Sequence, residues 1–370
     1  MQVEIKYIAN MRLPTEKAHG IQIMKACEAF AALGVSLELI VPSRKNAISD
    51  DPFAYYGIAT KFKITQLIVP DTVNWGMLGF VFQSVYFGIR AALYVRDKNA
   101  LIYGRDEIVM ATYSFFARRK VYWESHDGAW NRWARYLTMR LQGMVVVTKA
   151  AADFYASKGV DRAKILPIAN GIDLDSFAGN ISGEEARKRL DLPQDKIIAL
   201  YVGRLDGWKG TDTLLKASEN LSSNIQVALI GGEEDQVRKL SAQYPNARFL
   251  GSRQYHELAS NEAAADMLIL PNTALNATSV SFTSPLKLFS YMAAGKPIVA
   301  SDLPSIREVV DEESAVFFTP DDPHSLAAVI EKVAGNLPRY QEIAHKAKEE
   351  VVGYTWKARA QKLLQFLNRA

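Results

Sequence analysis

Strand-like runs and helical runs alternate along the whole chain, and that alternation restricts it to parallel α/β sheets more tightly than any other feature. In the first half, residues 3–9, 37–41, 101–103, 121–124 and 144–148 read as strands, with helices between them such as 20–33, closed by Gly34. In the second half, 197–202, 226–230, 248–250, 267–270, 297–301 and 315–318 repeat the theme. A single core rarely grows past about 250–300 residues, so 370 residues in this pattern divide into two doubly wound domains. The break falls at PIANG, 167–171, where Asn170-Gly171 is a strong turn dipeptide. Sites in such sheets form at the carboxyl ends of the strands, which places a ligand cleft between the domains. Residues 354–370 are one more helix, with Trp356, Ala360, Leu363, Leu364, Phe366 and Leu367 on its apolar face.

Charge changes sign at the same break. The net charge is +4, but residues 1–170 hold 22 Lys and Arg against 14 Asp and Glu, and the remaining 200 hold 22 against 26. A basic front half suits an anionic partner: a phosphate-bearing acceptor, an acidic membrane surface or nucleic acid. Cys27, the single cysteine, lies in an apolar helical pattern as a small core residue and builds no disulfide framework, which fits the reducing cytosol. The start, MQVEIK, alternates like a strand and lacks the basic head and apolar core of a signal peptide. One segment stands apart. Residues 72–89 carry no charge and hold Trp75, Phe80, Phe82, Tyr86 and Phe87. Their number reaches that of a membrane span, but Asn74, Gln83, Ser84 and three glycines favour a helix buried on all sides in its own protein. An interfacial helix on lipid is the alternative, ahead of a true span.

The sharpest chemical signal is YVGRLDGWKGT, 201–211, between a strand and a helix. Gly203 and Gly207 let the backbone approach a ligand, and the helix that follows offers amides and the positive end of its dipole. Arg204 and Lys209 add two cations suited to a diphosphate. A solvated glycine-rich turn is the competing reading, and the spacing matches neither a Walker loop nor G-x-G-x-x-G. The second signal is TSPLKLFSYMAAGKPIVAS, 283–301. Thr283 or Ser284 is set to cap a helix there, Pro285 to open it and Gly295 to end it. Its start is an anion or hydroxyl site, or an ordinary capped helix. In the first half, WESHD, 123–127, ends a strand, with Glu124 or Asp127 placed to fix the tautomer of His126. The 10–20 loop ends in His19-Gly20 and carries Arg12 and Lys17, which either reach an anionic acceptor or are solvated. Asp173-Leu174-Asp175 spells a metal-nucleotide motif, yet its place after the break suits Asp173 to tying down a turn, and no Cys/His spacing indicates zinc.

Taken together, these stretches resemble the retaining glycosyltransferases of family 4. GRLDGWKG, 203–210, is similar to that family's G-R-x(n)-K-G element, and AGKPIVAS, 294–301, to its A-x-G-x-P-[VI]-[VI]-A-[ST]. NGIDLDSF, 170–177, resembles its interdomain element, and Glu124-Ser125-His126 its strand-end E-x-H. The resemblance implies the GT-B architecture: two Rossmann-like, doubly wound domains facing each other across a cleft. Residues 1–170 are then an acceptor-binding domain, 171–352 a nucleotide-sugar-binding domain, and 353–370 a helix packing back on the first. It further implies that Arg204 and Lys209, beside Gly203, hold the donor diphosphate, that amides near Leu286 and Lys287 cradle its distal phosphate, and that His126 faces the donor sugar, with His126, Arg204 and Lys209 the catalytic candidates and Thr283, Ser284 and Ser290 in the donor site. His19 and Gly20 fall in its acceptor loop.

The implied activity is retaining, hexosyltransferase-type transfer from a nucleotide-diphosphate sugar to a sugar or lipid-linked acceptor. It uses no metal or other cofactor and belongs to cell-surface polysaccharide or glycolipid synthesis. The expected place is the cytoplasm, peripheral on the inner face of an anionic membrane, and nucleic acid is not an expected partner. One departure matters. The family's Glu-x7-Glu pair registers on Phe282 and Ser290, neither of them acidic. Ser290 replaces a ribose-binding carboxylate only weakly, and Phe282 cannot replace one at the sugar, so either Ser284 or Thr283 substitutes or a less usual donor is bound. Two other readings therefore stay open: a nucleotide-sugar-binding protein that has lost turnover, and an epimerase of the same architecture.

Overall fold

Runs of β-branched and aromatic residues build two all-parallel sheets in a computed structural model that describes residues 4–179, 181–205 and 207–368. Val3, the expected start of the first strand, and Asp206, in the glycine-rich turn, lie outside the described residues. The chain divides into two units, Met1–Gly171 with Trp356–Ala370, and Ile172–Thr355.

The first unit holds β1 (Glu4–Ile8), β2 (Ser36–Ser43), β3 (Lys63–Ile68), β4 (Leu101–Gly104), β5 (Val121–Ser125), β6 (Leu141–Val146) and β7 (Ile165–Pro167), in the spatial order β3-β2-β1-β4-β5-β6-β7. Ile5 of β1 sits opposite Leu37 on one side and Leu101 on the other, so the strand order reverses between β1 and β4. The last helix, Trp356–Leu367, belongs to this unit. Gly171 lets it in: a Cβ there would stand 2.8 Å from the Trp356 backbone and ring. Farther along, the Tyr122 hydroxyl donates to the Leu367 carbonyl at 3.0 Å, and Phe366 meets the Tyr122 ring edge-on.

The second unit holds β8 (Ile197–Val202), β9 (Ile225–Ile230), β10 (Ala247–Phe249), β11 (Met267–Leu270), β12 (Ile298–Ser301) and β13 (Val316–Phe318), in the order β10-β9-β8-β11-β12-β13. Here the reversal falls between β8 and β11, with Ala199 opposite Val227 and Met267. Ala199, Tyr201, Leu214, Leu229, Ile269, Val299 and Leu326 form its core, where strands and helices shed their apolar faces from water. Ser182 opens its first helix with a reciprocal capping box to Glu185.

Three expectations are corrected. β3 and β7 were not anticipated: β3 is a half-polar edge strand and β7 has only three residues. The uncharged 72–89 segment does form a helix, Gly76–Tyr94, but it is not buried on all sides. Its polar and small residues Gly79, Gln83, Ser84 and Gly88 face the protein, while Trp75, Met77, Leu78 and Phe82 are exposed. The helix after β11 is capped by neither Thr283 nor Ser284. It runs Leu286–Ala294 with Pro285 at the N-cap and no side-chain cap bond, because the residue before a proline is held extended. Gly295 does end it, at φ +63°. Cys27 is fully buried.

Candidate functional site

Where strand order reverses in a parallel sheet, the loops leaving neighbouring strands diverge and open a crevice. In the second unit those loops follow β8 and β11. Gly203 follows β8 at φ +146°, and a Cβ on it would stand 2.8 Å from the Lys287 ammonium. Lys287 Nζ donates to the Tyr201 hydroxyl at 2.8 Å and lies 4.0 Å from the centre of that ring. Tyr201 in turn donates to the Arg204 carbonyl at 2.6 Å. The Lys287 side chain thus joins the glycine-rich loop, although the sequence reading used only its amide. Gly210 closes the loop at φ +71°, where a Cβ would stand 1.5 Å from the Pro271 carbonyl just after β11. Lys209 is half-buried in the 3-10 turn Gly207–Lys209, and Arg204 is exposed. The amides of Leu286 and Lys287 open the Leu286–Ala294 helix, at the positive end of its dipole. Thr283 and Ser284 precede it, half-buried and buried respectively. Chemically, the Lys287 ammonium and a helix start meet at this loop, which also carries Arg204 and Lys209; groups of this kind suit an anion.

Ser290 lies one turn further along the same helix, fully buried. Its hydroxyl donates to Glu262 Oε1 at 2.7 Å and lies 3.0 Å from the Lys287 carbonyl. Glu262 comes from the short helix Leu258–Glu262 and is itself fully buried. Its Oε2 has no hydrogen-bond partner among the described residues. Burial pushes this carboxyl up to about 8, against the Ser290 hydrogen bond that favours the ionised form. A carboxyl therefore does stand at position 290, reached from 28 residues away. Asn272, two residues beyond β11, is also fully buried, with neither side-chain polar atom hydrogen-bonded among the described residues. Neither residue was found from sequence; the only trace is a lone Glu before a run of alanines. Asp173 accepts the Asp175 amide at 3.3 Å, and so pins its turn.

In the first unit the loops after β1, β4 and β5 carry the polar groups. The hydroxyl of Tyr56 holds the first loop, accepting the Thr15 amide at 2.7 Å and donating to the Thr15 carbonyl at 2.8 Å. Gly20 is required there, since a Cβ would stand 2.3 Å from that hydroxyl. His19 sits in the first turn of the Ala18–Ala32 helix, and burial, with Arg105 and Lys17 near it, pushes its imidazole down to about 4. Arg12 pairs with Glu16 at 2.6 Å.

After β4, Asp106 caps the Glu107–Ala117 helix, accepting the Val109 amide at 2.9 Å. Asn10 bridges it to Ser84, at 3.3 and 2.9 Å. Burial raises the Asp106 carboxyl to about 6.

After β5, His126 Nε2 stands 2.5 Å from Glu124 Oε1. Arg359, from the last helix, donates to the same oxygen at 2.8 Å and to the Ala169 carbonyl at 3.1 Å. Tyr103 donates to the other carboxylate oxygen. Burial by itself would raise the Glu124 carboxyl; Arg359 and His126 override it and hold the group well below the usual carboxylate range. Burial, then Arg105, pushes His126 down to about 4. The imidazole is therefore neutral near pH 7, its Nε2–H given to Glu124 and its Nδ1 left as an acceptor. Glu124 fixes the tautomer; Asp127 is exposed and accepts the Ala129 amide at 3.1 Å instead.

Two doubly wound parallel sheets, each with its polar loops gathered at a strand-order reversal, and a final helix built into the first unit define the GT-B class of fold. Solved structures of that shape include Anabaena Alr3699/HepE in complex with UDP and glucose, at a TM-score of 0.77 and 18% identity, covering 99% of this chain and 100% of that one. WaaG, a glycosyltransferase involved in lipopolysaccharide biosynthesis, aligns at a TM-score of 0.73 and 16% identity over 99% of this chain and 100% of its own. Residues 182–350 match the family described as glycosyl transferases group 1. A D-inositol 3-phosphate glycosyltransferase of Corynebacterium diphtheriae is 28% identical over 217 residues, 54% of this chain and 49% of that protein. The putative teichuronic acid biosynthesis glycosyltransferase TuaC of Bacillus subtilis is 28% identical over 232 residues, 62% and 55% of the two chains. The chain spans about half the length of the curated relatives it matches.

Proposed function

We propose that the chain is a retaining glycosyltransferase that moves a hexosyl unit from a nucleotide-diphosphate sugar to an acceptor hydroxyl in polysaccharide or glycolipid synthesis. The observation that carries this reading is the meeting of the Lys287 ammonium, the 203–210 loop and the start of the Leu286–Ala294 helix at the reversal in the second sheet. Arg204, Lys209, Lys287 and the amides at Leu286 and Lys287, with Thr283 and Ser284 beside them, meet the diphosphate. Negative charge grows there as the bond between the anomeric carbon and the phosphate oxygen breaks. Each preorganised donor contributes about 3–4 kcal/mol to that step. The acceptor oxygen bonds the anomeric carbon on the face the diphosphate leaves, and the departing phosphate oxygen takes the acceptor's proton. Cations of the chain neutralise the leaving group, so the scheme calls for no divalent ion. Ser290, backed by Glu262, meets the ribose hydroxyls, neutral His126 accepts from a hydroxyl of the donor sugar, and His19 and Gly20 line the acceptor loop.

The relatives support the choice of probes. HepE has been solved with UDP and glucose and with UDP-glucose, so uridine diphosphate sugars are the first donors to try. The names of WaaG and TuaC support a polysaccharide or glycolipid acceptor, lipid-linked or free.

The test is nucleotide release from a panel of nucleotide sugars, with and without acceptor, and the anomeric configuration of the product by NMR. Slow release in water that an acceptor accelerates is the expected result, with Lys287→Ala about 100- to 1,000-fold slower. Tight binding without release under every acceptor overturns the transferase reading in favour of a binding protein. Full turnover in Arg204→Glu overturns the diphosphate assignment.

A further inference from the structure

The Gly76–Tyr94 helix turns its apolar side to water. At helical spacing, Trp75, Leu78, Phe82, Val85, Tyr86, Ile89 and Leu93 fall on one stripe about 27 Å long. Leu78 is 85% exposed, Trp75 76% and Leu93 67%. A soluble helix normally buries such a stripe. Here the opposite face is the one committed to the protein, at contacts too close for any other arrangement. A Cβ on Gly88 would stand 2.7 Å from the Thr112 side chain and 2.9 Å from the Val109 carbonyl, and Gln83 and Ser84 are fully buried. The helix cannot cross a membrane while that face stays packed, but it can lie flat in the surface of one.

Charge says what covers the stripe. It carries no acidic residue; Arg90 lies in its last turns, and Arg96 follows the helix with Asp97 beside it. The Glu107–Ala117 helix packs beside it and ends in exposed Phe115 and Phe116, followed at once by exposed Arg118 and Lys120. The next helix of the layer, Arg132–Thr138, adds exposed Arg132 and Arg135, with exposed Met139 just after it. The whole unit holds 26 Lys and Arg against 14 Asp and Glu, whereas Ile172–Thr355 holds 18 against 26. A second copy of this surface would set cations against cations. Apolar groups ringed by cations match a bilayer with anionic headgroups, which takes the first into its acyl boundary and pairs the second with phosphates.

We infer that this face docks the chain peripherally on an anionic lipid bilayer, with Trp75, Leu78 and Phe82 inserted and Arg118 and Lys120 on lipid phosphates. The inference goes beyond the proposed reaction and stands without it. Its test is co-sedimentation of the full chain with phosphatidylcholine vesicles with and without phosphatidylglycerol, which needs no turnover. Binding about tenfold or more tighter to the anionic vesicles, and weakened by salt, is expected. Leu78→Glu combined with Phe82→Glu abolishes it with unchanged circular dichroism, and Arg118→Glu combined with Lys120→Glu removes the preference for phosphatidylglycerol. Three results each overturn the inference: no sedimentation with either vesicle, equal binding by wild type and both variants, or a wild-type dimer in solution that the Leu78/Phe82 variant breaks.

Discussion

Glu262 is fully buried and His126 half-buried, both are neutral near pH 7, yet they load stability in opposite directions. Glu262 titrates at about 8, above its ordinary 4.5, so the folded chain keeps a proton that the unfolded chain has lost. Its contribution is full below pH about 4.5 and falls by about 1.4 kcal/mol per pH unit up to about pH 8. Urea melts of wild type and Glu262→Gln between pH 6 and 8.5 check this: wild type weakens with pH and the variant stays level, and parallel slopes would refute it. His126 titrates at about 4, below 6.5, so its contribution is present above pH 6.5 and drains away as the pH falls toward 4.

Arg359 ties this chemistry together. Arg359→Ala leaves Glu124 buried with one cation fewer, at a cost of about 3–5 kcal/mol. It also lets the His126 pKa rise, which an NMR titration reads directly. His126, Gly203 and Lys209 were legible because a strand end or a glycine marks them. Glu262 and Arg359 were not, because their partners lie 28 and 235 residues away. Arg359 did leave one trace, a cation on the apolar stripe of the last helix between Trp356 and Leu363.

At the scale of elements, two glycines of one loop separate function from folding. Gly203→Ala adds a Cβ against the movable end of Lys287. Its expected effect is about a tenfold loss of donor affinity, as the ammonium is displaced, with a smaller drop in melting temperature than Gly210→Ala, from the strain of a side chain at φ +146°. Gly210→Ala meets the fixed Pro271 carbonyl at φ +71° and costs about 1–3 kcal/mol or more, seen as a drop of several degrees in melting temperature. If both variants lost only stability, the loop would be scaffolding.

Strands were readable wherever a buried parallel strand needs an unbroken apolar run, as at β8 and β11. The Gly76–Tyr94 helix was misread for a physical reason. When nearly every position is apolar, periodicity no longer says which side is buried, and only the glycines and Gln83 mark the inward face.

For the whole molecule, alternation foretold two sheets but not their strand orders, which depend on long-range pairing. Trp356 anchors the return of the chain to the first unit, with Gly171 against its ring. Trp356→Ala is expected to cost about 3–5 kcal/mol, measured by chemical denaturation. The Trp356–Leu367 helix also sets a schedule. A nascent chain folds in the order it leaves the ribosome, so Ile172–Thr355 is fully synthesised while the earlier unit still lacks a wall. Until that closing segment emerges, the Glu124 carboxylate waits without its guanidinium and the Tyr122 side of the sheet stays wet. The chain therefore completes its oldest part last, and a translation arrest near residue 355 would release a finished second unit tethered to an unfinished first.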